Sequence, residues 1–129
     1  MLFKNIKPRL KVLPILSKHC LGTLVVGNAD KLFDGPGCID ALKKILEKNN
    51  VICLGEQLHQ FPNNSFTLLV ALSESHISIH TWPERLTVQL DVFLCNYMNN
   101  NTVMCEDIYN SIVEYFETTE TNTTILERL

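Results

Sequence analysis

The stretch Ser73-Glu74-Ser75-His76-Ile77-Ser78-Ile79-His80-Thr81-Trp82-Pro83-Glu84 constrains this chain more than any other. It holds three serines, two histidines and two carboxylates in twelve residues. From His76 to His80 polar and apolar residues alternate, which is the two-residue period of an extended strand. Ile77 and Ile79 then fall on one face, and His76, Ser78 and His80 on the other. Residues 66–72, just before it, form an almost continuous apolar run that reads as a buried strand. Residues 87–95 alternate again: Val88, Leu90, Val92 and Leu94 on one face, Gln89, Asp91, Phe93 and Cys95 on the other. A row of proton-handling groups on one strand face beside a buried apolar run is costly unless it is used.

The rest of the chain supplies the neighbours of these strands. Residues 19–26 are short, largely apolar and end in β-branched residues, as a strand does. Gly35-Pro36-Gly37 closes a turn-rich link. Residues 38–49 then read as a helix with Ile39, Leu42, Ile45 and Leu46 as its apolar stripe, ended by Asn49-Asn50. Residues 51–61 are a strand with Gly55 as a candidate bulge, and Pro62-Asn63-Asn64-Ser65 a turn. Residues 106–118 are a second amphipathic helix with Ile108, Ile112, Val113 and Phe116 inward, and residues 122–126 a last strand. The order β-α-β-β-β-β-α-β predicts an α+β fold, an antiparallel sheet with two helices on one face. The other sheet face then needs cover, and a second subunit is the simplest source.

At 129 residues one domain is expected, with residues 1–18 as an N-terminal extension and residues 19–129 as the domain proper. A net charge of −3 and no basic stripe beyond Lys4, Lys7, Arg9 and Lys11 argue against a nucleic-acid surface. Five cysteines, an odd count without paired spacing or a CxxC, argue against a disulfide framework and a ribbon-type zinc site. No apolar run is long enough to span a membrane, and Pro8, Pro14 and several charges interrupt the N-terminus, so the cytoplasm is the expected compartment.

Three kinds of chemistry compete for residues 73–84. Zinc binding by His76 and His80 is opposed by strand geometry, which holds them about 13 Å apart. A Ser–His or Cys–His hydrolase lacks the G-x-S-x-G elbow. The third is backbone self-cleavage, in which a serine hydroxyl attacks the carbonyl before it, an ester forms, and elimination leaves a pyruvoyl group.

The stretch resembles the signature of the bacterial and archaeal S-adenosylmethionine decarboxylases. The likeness runs without a gap through Asp91-Val92-Phe93 to Cys95, and back to His59, Phe61 and His19. It implies a proenzyme cut between Glu74 and Ser75. Residues 1–74 become the β chain, and residues 75–129 the α chain with a pyruvoyl group derived from Ser75. By the same likeness His80 assists elimination and donates a proton, and Thr67 assists processing. Cys95 reprotonates the product carbon, Phe61 stacks on an adenine, and Glu84 binds ribose hydroxyls. The family fold is a helix-covered antiparallel sheet, and two protomers pack sheet to sheet as an α/β/β/α homodimer with active sites near their interface. The implied function is a decarboxylase of polyamine biosynthesis acting on a small amine-bearing carboxylate.

This sequence departs from the family pattern at the nucleoside pocket. Arg85-Leu86-Thr87-Val88 replaces an aromatic, glycine, aromatic, alanine run, and Asn96-Tyr97 replaces a glycine–acid turn. Val25 and Val26 stand where a second adenine-stacking aromatic is usual, a loss of about 1–3 kcal/mol. L-ornithine and L-arginine therefore stay open beside S-adenosylmethionine as substrates. An inactive paralogue that regulates an active partner is the reading from another class. His19 and His59 read equally well as ordinary strand histidines, and Asp91, Cys20, Cys38, Cys53 and Cys105 as structural or packing residues.

Overall fold

The computed structural model describes residues 16–73, 75–96 and 101–128. Glu74, at the expected cut, and nearly all of the 1–18 extension lie outside the described residues. Six strands form one antiparallel sheet: β1 (Ser17–Val26), β2 (Cys53–Gln60), β3 (Phe66–Leu72), β4 (Ser75–Trp82), β5 (Thr87–Cys95) and β6 (Thr118–Arg128). Their order across the sheet is β2-β3-β4-β5-β1-β6. Helices α1 (Gly35–Lys48) and α2 (Thr102–Tyr115) cover one face, α1 against β2 and β3 and α2 against β1 and β5. The α+β architecture and the element order agree with the reading of the sequence.

The registers show why one face is buried. Leu68 of β3 pairs with Ile79 of β4, Ile79 with Leu90 of β5, and Leu90 with Gly22 of β1. One row along, Val70, Ile77, Val92 and Cys20 repeat the pattern. These apolar rows meet Leu42 and Leu46 of α1 and Ile108 and Ile112 of α2 in a single core. Gly22 is required where it stands, because a Cβ there would run into the Tyr109 hydroxyl and the Asn122 carbonyl oxygen.

Local chemistry sets the element ends. Asp34 caps α1 by accepting a hydrogen bond from the Gly37 amide at 2.9 Å, and Pro36 sits in the first turn, where a missing N–H costs nothing. The helix therefore begins at Gly35, ahead of the expected residue 38. At its far end Asn50 takes φ 57, Val51 N donates to Leu46 O, and Asn50 N donates to Glu47 O. That is a Schellman closure built on asparagine. Helix α2 spans Thr102–Tyr115 rather than residues 106–118, because Glu117 at φ 53 ends it and Thr118 already belongs to β6. Cys105 and Tyr109 are core residues of α2, whereas Val113 is only partly buried. Strand β1 begins at Ser17, and β6 runs well beyond residues 122–126. The bulge expected at Gly55 is present as a register shift between Cys53 and Gly55.

Strand β3 differs from the buried strand expected of residues 66–72. Its burial alternates: Phe66, Leu68, Val70 and Leu72 are buried, but Leu69 is 47% exposed and Ala71 is also exposed. Leu69 and Ala71 therefore face the side of the sheet that carries no helix among the described residues.

Candidate functional site

The open face gathers most of the chemistry-bearing side chains. His76, Ser78 and His80 of β4 share it with Thr67 of β3 and with Asp91, Phe93 and Cys95 of β5, by strand alternation. Thr67 and His80 are direct register partners, and Thr67 Oγ1 lies 2.9 Å from His80 Nδ1. This bond fixes the imidazole orientation whichever atom donates.

His80 and Thr67 line a depression of about 430 Å³ with Phe61, Trp82, Glu84 and Asn63. Phe61 and Trp82 are 43% and 44% exposed, so both rings offer apolar surface to a ligand. His59 holds Phe61 edge-on, with ring centroids 4.6 Å apart. Trp82 Nε1 donates to Gln89 Oε1 at 3.1 Å. Thr81 sets the base of this region. Its buried Oγ1 donates to Leu32 O and accepts from Phe66 N, each at 2.9 Å, tying the start of β3, the end of β4 and the turn before α1 together. Sequence reasoning gave neither Thr81 nor Trp82 a role; a lone polar residue on the apolar parity of β4 was the available signal for Thr81.

The second group sits at the other end of β4. Ser75 is its first residue, pairs with Leu72 and Leu94, and has φ 151. An L-residue adopts such a backbone only when its surroundings force it, at about 1–3 kcal/mol. Two residues, 73 and 74, join β3 to β4, and Ser73 N donates to Ile52 O at 3.1 Å, which anchors the connection. Cys95 ends β5, one residue beyond the Leu94 that pairs with Ser75, and is half-buried. Beside it, Phe93 lies between the His19 and His76 rings, each 5.5 Å away, with the Arg128 guanidinium 4.8 Å from its centroid. Among the described residues His19 Nε2 is buried without a hydrogen-bond partner, and burial lowers the His19 pKa despite the nearby Asp91 carboxylate.

The structure therefore brings Thr67, His80, Phe61 and Glu84 together, and pairs Ser75 with Leu94, the residue before Cys95, at the other end of β4. Five residues of extended strand separate Ser75 from His80, about 17 Å. In one protomer the serine and the histidine do not meet.

Fold and site define a class: a helix-covered antiparallel sheet whose other face carries a thiol and a hydroxyl-bound histidine, with a serine at a strained strand start. The family model described as S-adenosylmethionine decarboxylase matches residues 18–129. A Clostridium botulinum (strain Loch Maree / Type A3) protein named S-adenosylmethionine decarboxylase proenzyme is 36% identical over 78 residues, 60% of this chain and 67% of that protein. A protein of the same name from Archaeoglobus fulgidus is 31% identical over 87 residues, 67% of this chain and 74% of the relative. The crystal structure of the adenosylmethionine decarboxylase from Aquifex aeolicus superposes with a TM-score of 0.80 at 26% identity, covering 90% of this chain and 92% of that one. The chain belongs to the S-adenosylmethionine decarboxylase family, a family of pyruvoyl-dependent lyases.

Proposed function

We propose that this chain is a proenzyme that cuts itself between Glu74 and Ser75, and that the processed protein decarboxylates S-adenosylmethionine. The observation that carries this reading is the backbone of Ser75. A residue at φ 151 directly after the bond to be broken holds strain that the uncut chain cannot release. Conversion of Ser75 to a pyruvoyl group removes its nitrogen and flattens its α carbon, so the strained torsion ceases to exist.

The chain's own residues divide the work. The Ser75 hydroxyl adds to the carbonyl carbon of residue 74, the acyl group moves from nitrogen to oxygen, elimination frees residues 1–74 as a carboxylate and leaves a dehydroalanine, and water then hydrolyses its imine form, releasing ammonia and leaving the pyruvoyl group. His80, oriented through Thr67, takes and returns the protons of these steps. The pyruvoyl group supplies the electron sink that side chains lack. The Cys95 thiol delivers a proton to the carbon that has lost its carboxylate. The aromatic surfaces of Phe61 and Trp82 hold a flat base in the 430 Å³ depression, and Glu84 on its rim accepts hydrogen bonds from sugar hydroxyls. Trp82 there compensates for the aliphatic Val25 and Val26 on β1.

The separation of the two groups implies a homodimer. Two open faces packed together about a two-fold axis running across the strands bring the His80 end of one copy over the Ser75 end of the other. Exposed Leu69, Phe61 and Trp82 then leave water. Relatives named for S-adenosylmethionine favour it over L-ornithine and L-arginine.

Denaturing mass spectrometry of the purified protein tests the cut. Two fragments divided after Glu74 are expected, the second lighter than a serine-started chain. Carbon dioxide release is expected from S-adenosylmethionine and not from L-ornithine or L-arginine. A chain that stays whole for days, or one that is cut but turns over none of the three, overturns the proposal; stimulation of an active relative on mixing then identifies a regulatory paralogue.

A further inference from the structure

Cys20 on β1 and Cys105 in the first turn of α2 meet in the layer between helix and sheet. Their sulfur atoms are 3.7 Å apart, and the side chains are 1% and 0% exposed. Cys105 Sγ also lies 3.4 Å from the carbonyl oxygens of Lys18 and Val92, so the thiol is pressed onto the sheet at this point. Neither residue takes part in the open-face chemistry. They stand 85 positions apart in sequence, on opposite sides of the 74–75 junction.

That position matters once the junction is cut. Strand β1 belongs to residues 1–74, yet it is hydrogen-bonded between β5 and β6, which belong to residues 75–129. The two product chains would interlock there, with no backbone between them. Cys20 lies on the inserted strand, and Cys105 on the helix that covers it.

We propose that Cys20 and Cys105 are a disulfide-forming pair. On the reading that the chain cuts itself before Ser75, this bond ties the two product chains covalently at their interlock. The sulfurs are already in van der Waals contact, about 1.7 Å short of closing to a disulfide of ~2.05 Å. Closing the bond takes one proton and one electron from each thiol. A low-molecular-weight disulfide accepts both electrons and both protons by exchange, and departs as two thiols. In the closed fold burial holds the pair protonated, with the Cys20 pKa pushed up to about 12. Exchange therefore starts when the first turn of α2 opens, and the pair stays reduced until an oxidant is supplied.

The test uses the purified full chain at neutral pH, held with oxidised glutathione, then denatured in excess N-ethylmaleimide and separated without reductant. The expected result is one species with the summed mass of both product chains, resolved into two by reductant. A digest should contain a linked peptide pair carrying Cys20 and Cys105. Cys20→Ser and Cys105→Ser should each give two separate chains after the same treatment, and Cys38→Ser and Cys53→Ser one tied species. Maleimide on both Cys20 and Cys105 of the wild-type chain after prolonged oxidation overturns the pairing, as does a tie that survives Cys105→Ser. Failure of the cut is distinguishable. An uncut chain keeps its full length under reductant, while its digest still reports the Cys20–Cys105 link or its absence.

Discussion

On the proposed reading, Ser75 concentrates the chemistry of the chain in one backbone torsion. A hydroxyl, a strained φ and a preceding carbonyl coincide there, and removing only the hydroxyl separates the strain from the reaction. Ser75→Ala is expected to give a folded, uncut chain at 14.7 kDa by mass spectrometry with no carbon dioxide release. Cys95→Ala, by contrast, should still be cut but lose turnover or release misprotonated product, and unchanged turnover would remove Cys95 from the mechanism. His19 makes a residue-scale prediction about pH. Its pKa in the fold lies below the ordinary 6.5 because burial opposes the charged form. Below pH 6.5 the unfolded chain therefore binds a proton that folded His19 resists, and stability falls on acidification until the folded imidazole is itself protonated. Denaturant midpoints at pH 7.5 and 5.5 should show this loss, and His19→Gln should make it smaller.

At the scale of elements, the site rests on how strand ends are fastened. Thr81 carries three elements on one hydroxyl. Thr81→Val keeps its shape but leaves Phe66 N and Leu32 O without that partner, at about 1–3 kcal/mol for a buried unsatisfied group. Because Thr81 lies between His80 and Trp82, the same change is expected to raise KM as the depression loosens, which a core residue elsewhere would not do. Gly22 is the other fastening. Gly22→Ala sets a methyl against Tyr109 and the backbone of β6, and overpacking of this kind costs about 1–3 kcal/mol. A fall in the urea midpoint without a change in slope is the expected reading.

For the whole molecule, the proposed site assignment makes a single protomer chemically incomplete. The groups at the two ends of β4 are about 17 Å apart, and no side-chain rotation spans that distance. Co-expression of Ser75→Ala and His80→Ala chains tests the two-fold arrangement directly. Each variant alone should be inactive. The mixed dimer should regain one working site, about a quarter of wild-type activity for random pairing. If each site is built within one chain, the mixture stays inactive.

The sheet, its helix-covered face and the row of polar residues on the other face of β4 are legible in the amino-acid order. Period-two alternation in residues 76–80 and 87–95, and the helical stripe through Leu42 and Leu46, depend only on neighbours along the chain. Less was legible where distant segments decide. The sequence pattern starts helix α2 late because Cys105 and Tyr109 are core residues only by virtue of the strands beneath them, and Gly22 has no signal without Tyr109 above it. The apolar residues of β3 do not state whether they face a helix or a second sheet. The sequence by itself determined which side chains line one strand face, since alternation is a property of the extended backbone. Only the tertiary structure decided that Thr67 meets His80, that Ser75 stands apart from both, and that two thiols 85 residues apart touch. Those distances are set by strand register and by the packing of helix on sheet, and no local pattern encodes either.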